Sequence, residues 1–261
     1  MIGKRPDGFH NLQTVFYPVH LTDALELIRP ANISTSYPDQ LTTTGLTITG
    51  SSNENICMKA INLLRQDFPT IGPVSVHLHK VIPMGAGLGG GSSDASFMLQ
   101  LINNVFSLQL SKAQLLEYAG KLGSDCAFFV INSPCFAEGR GEIMQEIPLD
   151  LSMFTIILVH PGIHINTAEA FKMIEVKMPR LSSREIVKDD ISSWKEKLLN
   201  DFELPVFQKY PVLKQLKRDL YESGAIYTSM TGSGSSFYAI YPKSNAPYLG
   251  KKFPYRVDVI N

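Results

Sequence analysis

Two stretches of the 261-residue sequence carry residues that could do chemistry. The first is Pro83-Met84-Gly85-Ala86-Gly87-Leu88-Gly89-Gly90-Gly91-Ser92-Ser93-Asp94-Ala95, with five glycines between positions 85 and 91. Glycine takes positive φ without steric penalty, and its missing side chain lets a ligand reach the backbone amides. Ser92, Ser93 and Asp94 are N-cap residue types, and the apolar run behind them, through Asn103, predicts a helix. Unpaired N–H groups at a helix N-terminus, with its dipole, suit a phosphate. The second stretch, Ser124-Asp125-Cys126-Ala127-Phe128-Phe129-Val130-Ile131, sets a carboxylate ahead of six apolar residues. Burying a carboxylate is costly unless it is paired. Asp125 is therefore either the cap of a short helix or a reacting group, and the residues alone leave both open.

The glycine pattern departs from both common phosphate loops. Gly85, Gly87 and Gly90 satisfy G-x-G-x-x-G, but Pro83 interrupts the approach and no carboxylate lies near Leu110, where a dinucleotide fingerprint needs one. A Walker A loop needs Gly-Lys-Ser/Thr, and no lysine lies between Val81 and Asn104. A flexible linker is the plain alternative, yet linkers do not usually open straight into an apolar helix. A phosphate cradle of neither common type is the expectation.

Composition narrows the partners. Lys plus Arg and Asp plus Glu are 24 each, so no net field draws the chain to nucleic acid or an anionic membrane. No apolar run approaches the ~20 residues that span a bilayer, and the polar start does not read as a secretion signal. Cys57, Cys126 and Cys135 are odd in number and widely spaced, which suggests reduced thiols in a cytoplasmic protein. His77 and His79 share a strand face without a third ligand, so no metal site is expected.

The surrounding elements follow from periodicity and caps. Strands are predicted over 12–19, 24–30, 41–49 and 74–80, with a buried one over 154–160. Asn53-Glu54-Asn55 caps a helix over 56–67, and Ser111 caps another over 112–122 that Gly123 ends. Residues 138–142 form a hairpin turn. Asn166 or Thr167 caps a helix, Ser182 to Glu185 is a capping box, and 211–223 forms a helix ended by Gly224. Residues 225–241 read as strand, glycine turn and strand.

Pro83 to Ala95 resembles the ATP-binding loop of the GHMP kinases, and most of all that of the branch acting on 4-diphosphocytidyl-2-C-methyl-D-erythritol. Leu122 to Phe129 is similar to the family segment bearing the catalytic aspartate, and Met230 to Phe237 to the third family motif. The resemblance implies an α+β (α/β two-layer) fold of two domains, an S5-like one at 1–150 and a ferredoxin-like one at 151–261. It implies that residues 83–93 hold ATP with Mg2+, and that Asp125 orients and deprotonates the acceptor hydroxyl. Gly232, Ser233 and Gly234 would contact the substrate diphosphate or steady the first loop. Gly3 to Thr14 is similar to the segment beside the cytidine, where Phe9 would stack on cytosine and His10 bond its edge. Thr167 and Phe171 would lie on the far side of the ring. Read without the resemblance, His10 is a surface histidine and Phe171 a core residue. The implied activity is phosphorylation of the 2-hydroxyl of that substrate, in the non-mevalonate route to isoprenoids, by a monomer or homodimer. A kinase for mevalonate or homoserine would share the glycine loops but have no use for an aromatic–His pair. A catalytically impaired nucleotide- or sugar-binding relative is the other alternative.

Family members carry, ahead of the segment that starts here at Met1, a strand of Ala-Lys-Ile/Leu-Asn-Leu type whose lysine pairs with the catalytic aspartate. Lys4 belongs to the following Gly-Lys-Arg-Pro-Asp-Gly turn instead. Either the chain begins late or the lysine is lost, and the expectation is that these residues bind ligands better than they turn them over.

Overall fold

The computed structural model describes residues 1–6, 10–30, 38–174, 181–247 and 253–260. In chain order its first elements are β1 (Gly3–Lys4), β2 (His10–Asn11), β3 (Thr14–Phe16), β4 (Ala24–Ile28), β5 (Gln40–Gly45), α1 (Ile56–Asp67), β6 (Ser75–Lys80), α2 (Gly90–Val105), α3 (Lys112–Leu122) and α4 (Cys126–Ile131). They are followed by β7 (Cys135–Glu138), β8 (Ile143–Glu146), β9 (Phe154–His160), α5 (Thr167–Lys172), α6 (Ser183–Ile186), α7 (Trp194–Lys197), α8 (Glu203–Lys209), α9 (Pro211–Glu222), β10 (Tyr227–Met230), β11 (Phe237–Pro242) and β12 (Arg256–Ile260). Two compact units interleave along the chain. A helical unit comprises 22–84 and 89–133, and a sheet unit comprises 1–21, 85–88 and 134–261. Compactness thus does not divide the chain at Asp150, because four residues of the glycine stretch and the N-terminal strands group with the C-terminal part.

In the helical unit β6 is the middle strand, antiparallel to β4 and parallel to β5. Its alternation buries Val76, Leu78 and Lys80 on one face, with Leu25 opposite Leu78 and Leu27 opposite Val76. The side chain of Asn55 accepts from the amide of Cys57 at 2.9 Å and opens α1. Cys57, Ala60, Ile61 and Leu64 of α1 then bury one face in a core shared with Ala95, Met98, Leu99 and Ile102 of α2. Burial of each large apolar side chain contributes about 1.5–3 kcal/mol. Helix α2 begins earlier than its cap-type residues suggest. Gly89, left-handed at φ 68°, takes the cap position, so Ser92, Ser93 and Asp94 sit inside the helix. Gly123 ends α3 in an extended conformation at φ 174°, not a left-handed one.

In the sheet unit β10, β11, β9 and β12 form an antiparallel sheet in that order. Ile157 and Val159 of β9 join a core with Leu213, Leu216 and Leu220 of α9, while Ile156 and Leu158 join another with Trp194 and Ile240. Both faces are covered, which is why β9 reads as an unbroken apolar run. A second sheet runs β3-β7-β8, and β1 pairs with β2. The strand expected over 12–19 is shortened to β3, and ahead of it the amide of Leu12 bonds the carbonyl of Gly139. No described helix is long and apolar enough to cross a membrane.

Candidate active site

The glycine stretch is built differently in each unit. Within the sheet unit, Thr231 Oγ1 donates to the carbonyl of Gly87 at 2.8 Å and the amide of Ser236 to that of Ala86 at 3.3 Å. Gly87, at φ 76°, is obligatory: a Cβ there would stand 2.3 Å from the carbonyl oxygen of Thr231. Within the helical unit, Gly89 gives α2 no side-chain cap. The amide of Ser93 bonds the carbonyl of Gly89 at 2.9 Å, and the amides before it head the helix as orphan donors. A Cβ on Gly89 would come within 2.9 Å of the Phe129 ring, so the loop's exit packs on the segment that carries Asp125.

Beneath the loop's two ends lies a charge cluster that sequence reasoning missed. Lys80 Nζ, buried at the end of β6, bonds Asp23 at 2.6 Å and Asp94 at 2.7 Å. The other oxygen of Asp23 accepts from the amides of Val81 at 2.5 Å and Ile82 at 2.8 Å. Burial opposes ionisation of Asp23, but Lys80 and the two amides outweigh it and hold its pKa below the ordinary value. For Lys80 burial is likewise outweighed, by both carboxylates, and its pKa is raised. Asp94 goes the other way: burial, with Asp23 close by, pushes it up to about 6 against the pull of Lys80. The strand entering the glycine stretch and the helix leaving it are thereby tied to one ammonium. The available signal was the inward alternation of Val76, Leu78 and Lys80.

Asp125 occupies the cap position of α4, but its side chain makes no cap hydrogen bond. It has no hydrogen-bond or ion-pair partner among the described residues, and desolvation raises its pKa. The helix-cap alternative is not realised, and the carboxylate is free to act on something else. Ser96 Oγ, fully buried in α2, donates to the carbonyl of Cys126 at 2.7 Å and fixes α4 to the glycine-headed helix.

The expected cytidine-end residues lie in the sheet unit. Asn166 caps α5 by accepting from the amide of Glu169 at 3.1 Å, which presents Thr167 in the first turn. Thr167 Oγ1 is 3.0 Å from Ser233 Oγ, so α5 and the third-motif turn meet. The rings of His10 and Phe171 stack on each other, centroids 5.4 Å apart and planes inclined by 26°. A ring held between them would need about 7 Å, twice an aromatic contact distance. Phe171 also meets Phe202 edge to face, centroids 4.9 Å apart and planes at 85°. Phe9 lies outside the described residues. The turn itself is held by residues that the sequence did not single out. Asn200 Nδ2 donates to the carbonyls of Met230 at 2.7 Å and Gly232 at 2.8 Å, and buried Glu203 accepts from the amide of Met230 at 2.9 Å. No group of three metal-ligating side chains occurs among the described residues. The three cysteines are buried and form no disulfide.

Residues 55–133 match the GHMP kinases N terminal domain and residues 183–253 match GHMP kinases C terminal. A 4-diphosphocytidyl-2-C-methyl-D-erythritol kinase of Bacteroides thetaiotaomicron is 48% identical over 245 residues, 94% of this chain and 88% of that protein. A protein of the same name from Cytophaga hutchinsonii is 44% identical over 92% of this chain and 87% of its own. A crystal structure of 4-(cytidine 5'-diphospho)-2C-methyl-D-erythritol kinase superposes with a TM-score of 0.83 at 26% identity, covering 99% of this chain and 92% of that one. A homoserine kinase from Cytophaga hutchinsonii shares the fold at a TM-score of 0.71 and 15% identity, over 95% and 93% of the two chains.

Proposed function

This chain belongs to the 4-diphosphocytidyl-2-C-methyl-D-erythritol kinases, a branch of the GHMP kinases, and on that premise we propose that it transfers the γ-phosphoryl group of ATP to the 2-hydroxyl of 4-diphosphocytidyl-2-C-methyl-D-erythritol. The observation that carries the chemistry is Asp125, a carboxylate with a raised pKa and no partner among the described residues, one residue ahead of the segment that Ser96 bonds to the glycine-headed helix. In this reading Asp125 holds the 2-hydroxyl and takes its proton as the oxygen bonds the γ-phosphorus. The bond from that phosphorus to the bridging oxygen breaks, and ADP leaves. Phosphoryl transfer asks mainly for positioning and charge stabilisation, which suits a protein that contributes one base and many amides.

The residues present fit a nucleotide triphosphate. Three glycines at positive φ and an uncapped helix head leave backbone donors in a row, and nothing lies within 4 Å of where a Cβ on Gly91 would be. Residues 83–93 are assigned to the phosphates on that ground, with the dipole of α2 adding to the field. Mg2+ is assigned only as an ion bound mainly through the phosphates, as it commonly is in kinases, supplying charge neutralisation there. His10, Thr167 and Phe171, with Phe9, are assigned to the cytidine, which requires His10 and Phe171 to part from their 5.4 Å stack, and Gly232, Ser233 and Gly234 to the substrate diphosphate. The assignment to domains at 1–150 and 151–261, a cytoplasmic location, and a monomer or homodimer belong to the same reading.

The test is ADP release by the 261-residue chain with 4-diphosphocytidyl-2-C-methyl-D-erythritol, mevalonate or homoserine as acceptor. Release with the first alone is expected, and equal release with all three would overturn the substrate. Replacement of Asp125 by Asn is expected to lower turnover by about 10²–10⁴-fold with thermal unfolding unchanged. Full turnover in that variant would remove the base.

A further inference from the structure

We propose that Asn200 is a positioning residue for the nucleotide, acting through Thr231 on the amides of the first glycine loop. The inference rests on the assignment of residues 83–93 to ATP phosphates.

Asn200 is half-buried in the segment ahead of α8, and its oxygen and both amide hydrogens are engaged. Its Oδ1 accepts from the amide of Phe202 at 2.9 Å, which leaves Nδ2 to donate twice, to Met230 and Gly232 at 2.7 and 2.8 Å. Those carbonyls belong to the Met230–Thr231 and Gly232–Ser233 peptides, so one side chain fixes the peptide that enters Thr231 and the next but one after it. The turn that follows needs fixing: Gly232 and Gly234 sit at φ 55° and 96°, where glycine has no intrinsic preference to hold the path. Thr231 is also held from within the turn. Its amide donates to Ser236 and its carbonyl accepts from Gly234, at 2.9 and 3.0 Å.

Thr231 carries that order to the first loop. Its hydroxyl donates to the carbonyl of Gly87 and the amide of Ser236 donates to that of Ala86. A trans peptide sets its C=O and N–H in opposite directions. Two carbonyls turned to the third-motif turn therefore aim the N–H groups of Gly87 and Leu88 away from it, as donors with no backbone partner among the described residues. With the Thr231 hydroxyl misplaced, the Gly87 peptide has no fixed orientation, and a phosphate must order it on binding.

The test is calorimetric titration of ATP into the full chain. Asn200→Asp keeps the acceptor for Phe202 but replaces the two donors by an oxygen facing two carbonyls, and Thr231→Val removes the hydroxyl alone. Each is expected to raise the Kd for ATP about tenfold, the scale of one lost directing hydrogen bond. The double variant is expected to be no weaker than the worse single one, because both break the same chain. In the kinase assay the KM for ATP should rise with kcat at saturation within about threefold, a split that loss of folded protein does not produce. An unchanged Kd in a folded Thr231→Val sample overturns the proposal even if Asn200→Asp fails to fold, and so do additive effects. Wild-type protein that binds ATP but phosphorylates mevalonate or homoserine in place of 4-diphosphocytidyl-2-C-methyl-D-erythritol would sink the functional reading and leave the Asn200 result standing.

Discussion

The two glycine loops are braced by the same device, executed at different depths. Each follows a strand whose end is tied to a carboxylate, the two amides just past β6, Val81 and Ile82, donating to Asp23 in one unit and the last amide of β10, Met230, donating to Glu203 in the other. Each carboxylate is neutralised by a lysine. Lys80 is 1% exposed and serves two carboxylates, whereas Lys217 is 19% exposed and serves one. The first brace is thus a desolvated charge cluster. The second keeps one foot in water and adds a neutral amide, Asn200, to do the directing. A buried ion network costs several kcal/mol of desolvation per ion and holds only if every member is satisfied, so the same injury should hurt the first loop more.

Equal injuries test that ranking. Asp23→Asn is expected to cost about 3–5 kcal/mol of stability, read by urea denaturation. Both oxygens of Asp23 are engaged, one by Lys80 and one by two amides, so an Asn must point its NH2 at a buried donor. Glu203→Gln sets the same conflict, since Oε1 serves Met230 and Ser229 and Oε2 serves Lys217. There, however, Lys217 can swing into water, and the expected cost is about 1–3 kcal/mol. Equal costs would mean that the depth of the lysine is not what separates the braces.

The sequence revealed the parts of this arrangement that are local. Asn55, Ser111 and Asn166 cap the helices expected of them, because a cap and its amide lie within three residues. The glycine stretch and Asp125 stood out because their residue types clash with their surroundings. The braces are non-local. Lys80 and Asp23 are 57 positions apart, and Asn200 and Glu203 reach across 30 and 27 positions to Met230. Nothing in the neighbourhood of Asp23 or Asn200 marks either as more than a polar loop residue. The same distance hid the chain from Ser236 through His160 to Asp258, with bonds of 2.9 Å across 76 and 98 positions. The start of α2 was misjudged for the opposite reason. Ser92, Ser93 and Asp94 are strong local cap types, but the left-handed turn at Gly89 starts the helix before them, and Asp94 is used by Lys80 instead.

Asp94 makes the finest distinction, because it belongs to the deeper brace yet should be its least costly member to neutralise. It gives Lys80 one oxygen, so an asparagine side chain at this position can offer its carbonyl oxygen in the same place and turn its NH2 away. With Asp94 neutral, Lys80 and Asp23 remain as a balanced pair, where the native cluster at neutral pH buries two negative charges against one positive. The pKa gives the sign. Asp94 rises from 3.8 to about 6 on folding, so the native state holds this proton more tightly than the unfolded chain. Its contribution is then greatest below about pH 4 and is lost as pH rises through about 6. The Asp94→Asn variant has no proton to lose. Urea denaturation should therefore find it at its greatest disadvantage below about pH 4, and within about 1 kcal/mol of the native protein, or above it, near about pH 7. A difference that does not change between those conditions would mean that Asp94 stays ionised throughout. The first brace would then be a charge triad held against its own desolvation, and the contrast with Glu203 and Lys217 would be greater than the exposures of the two lysines suggest.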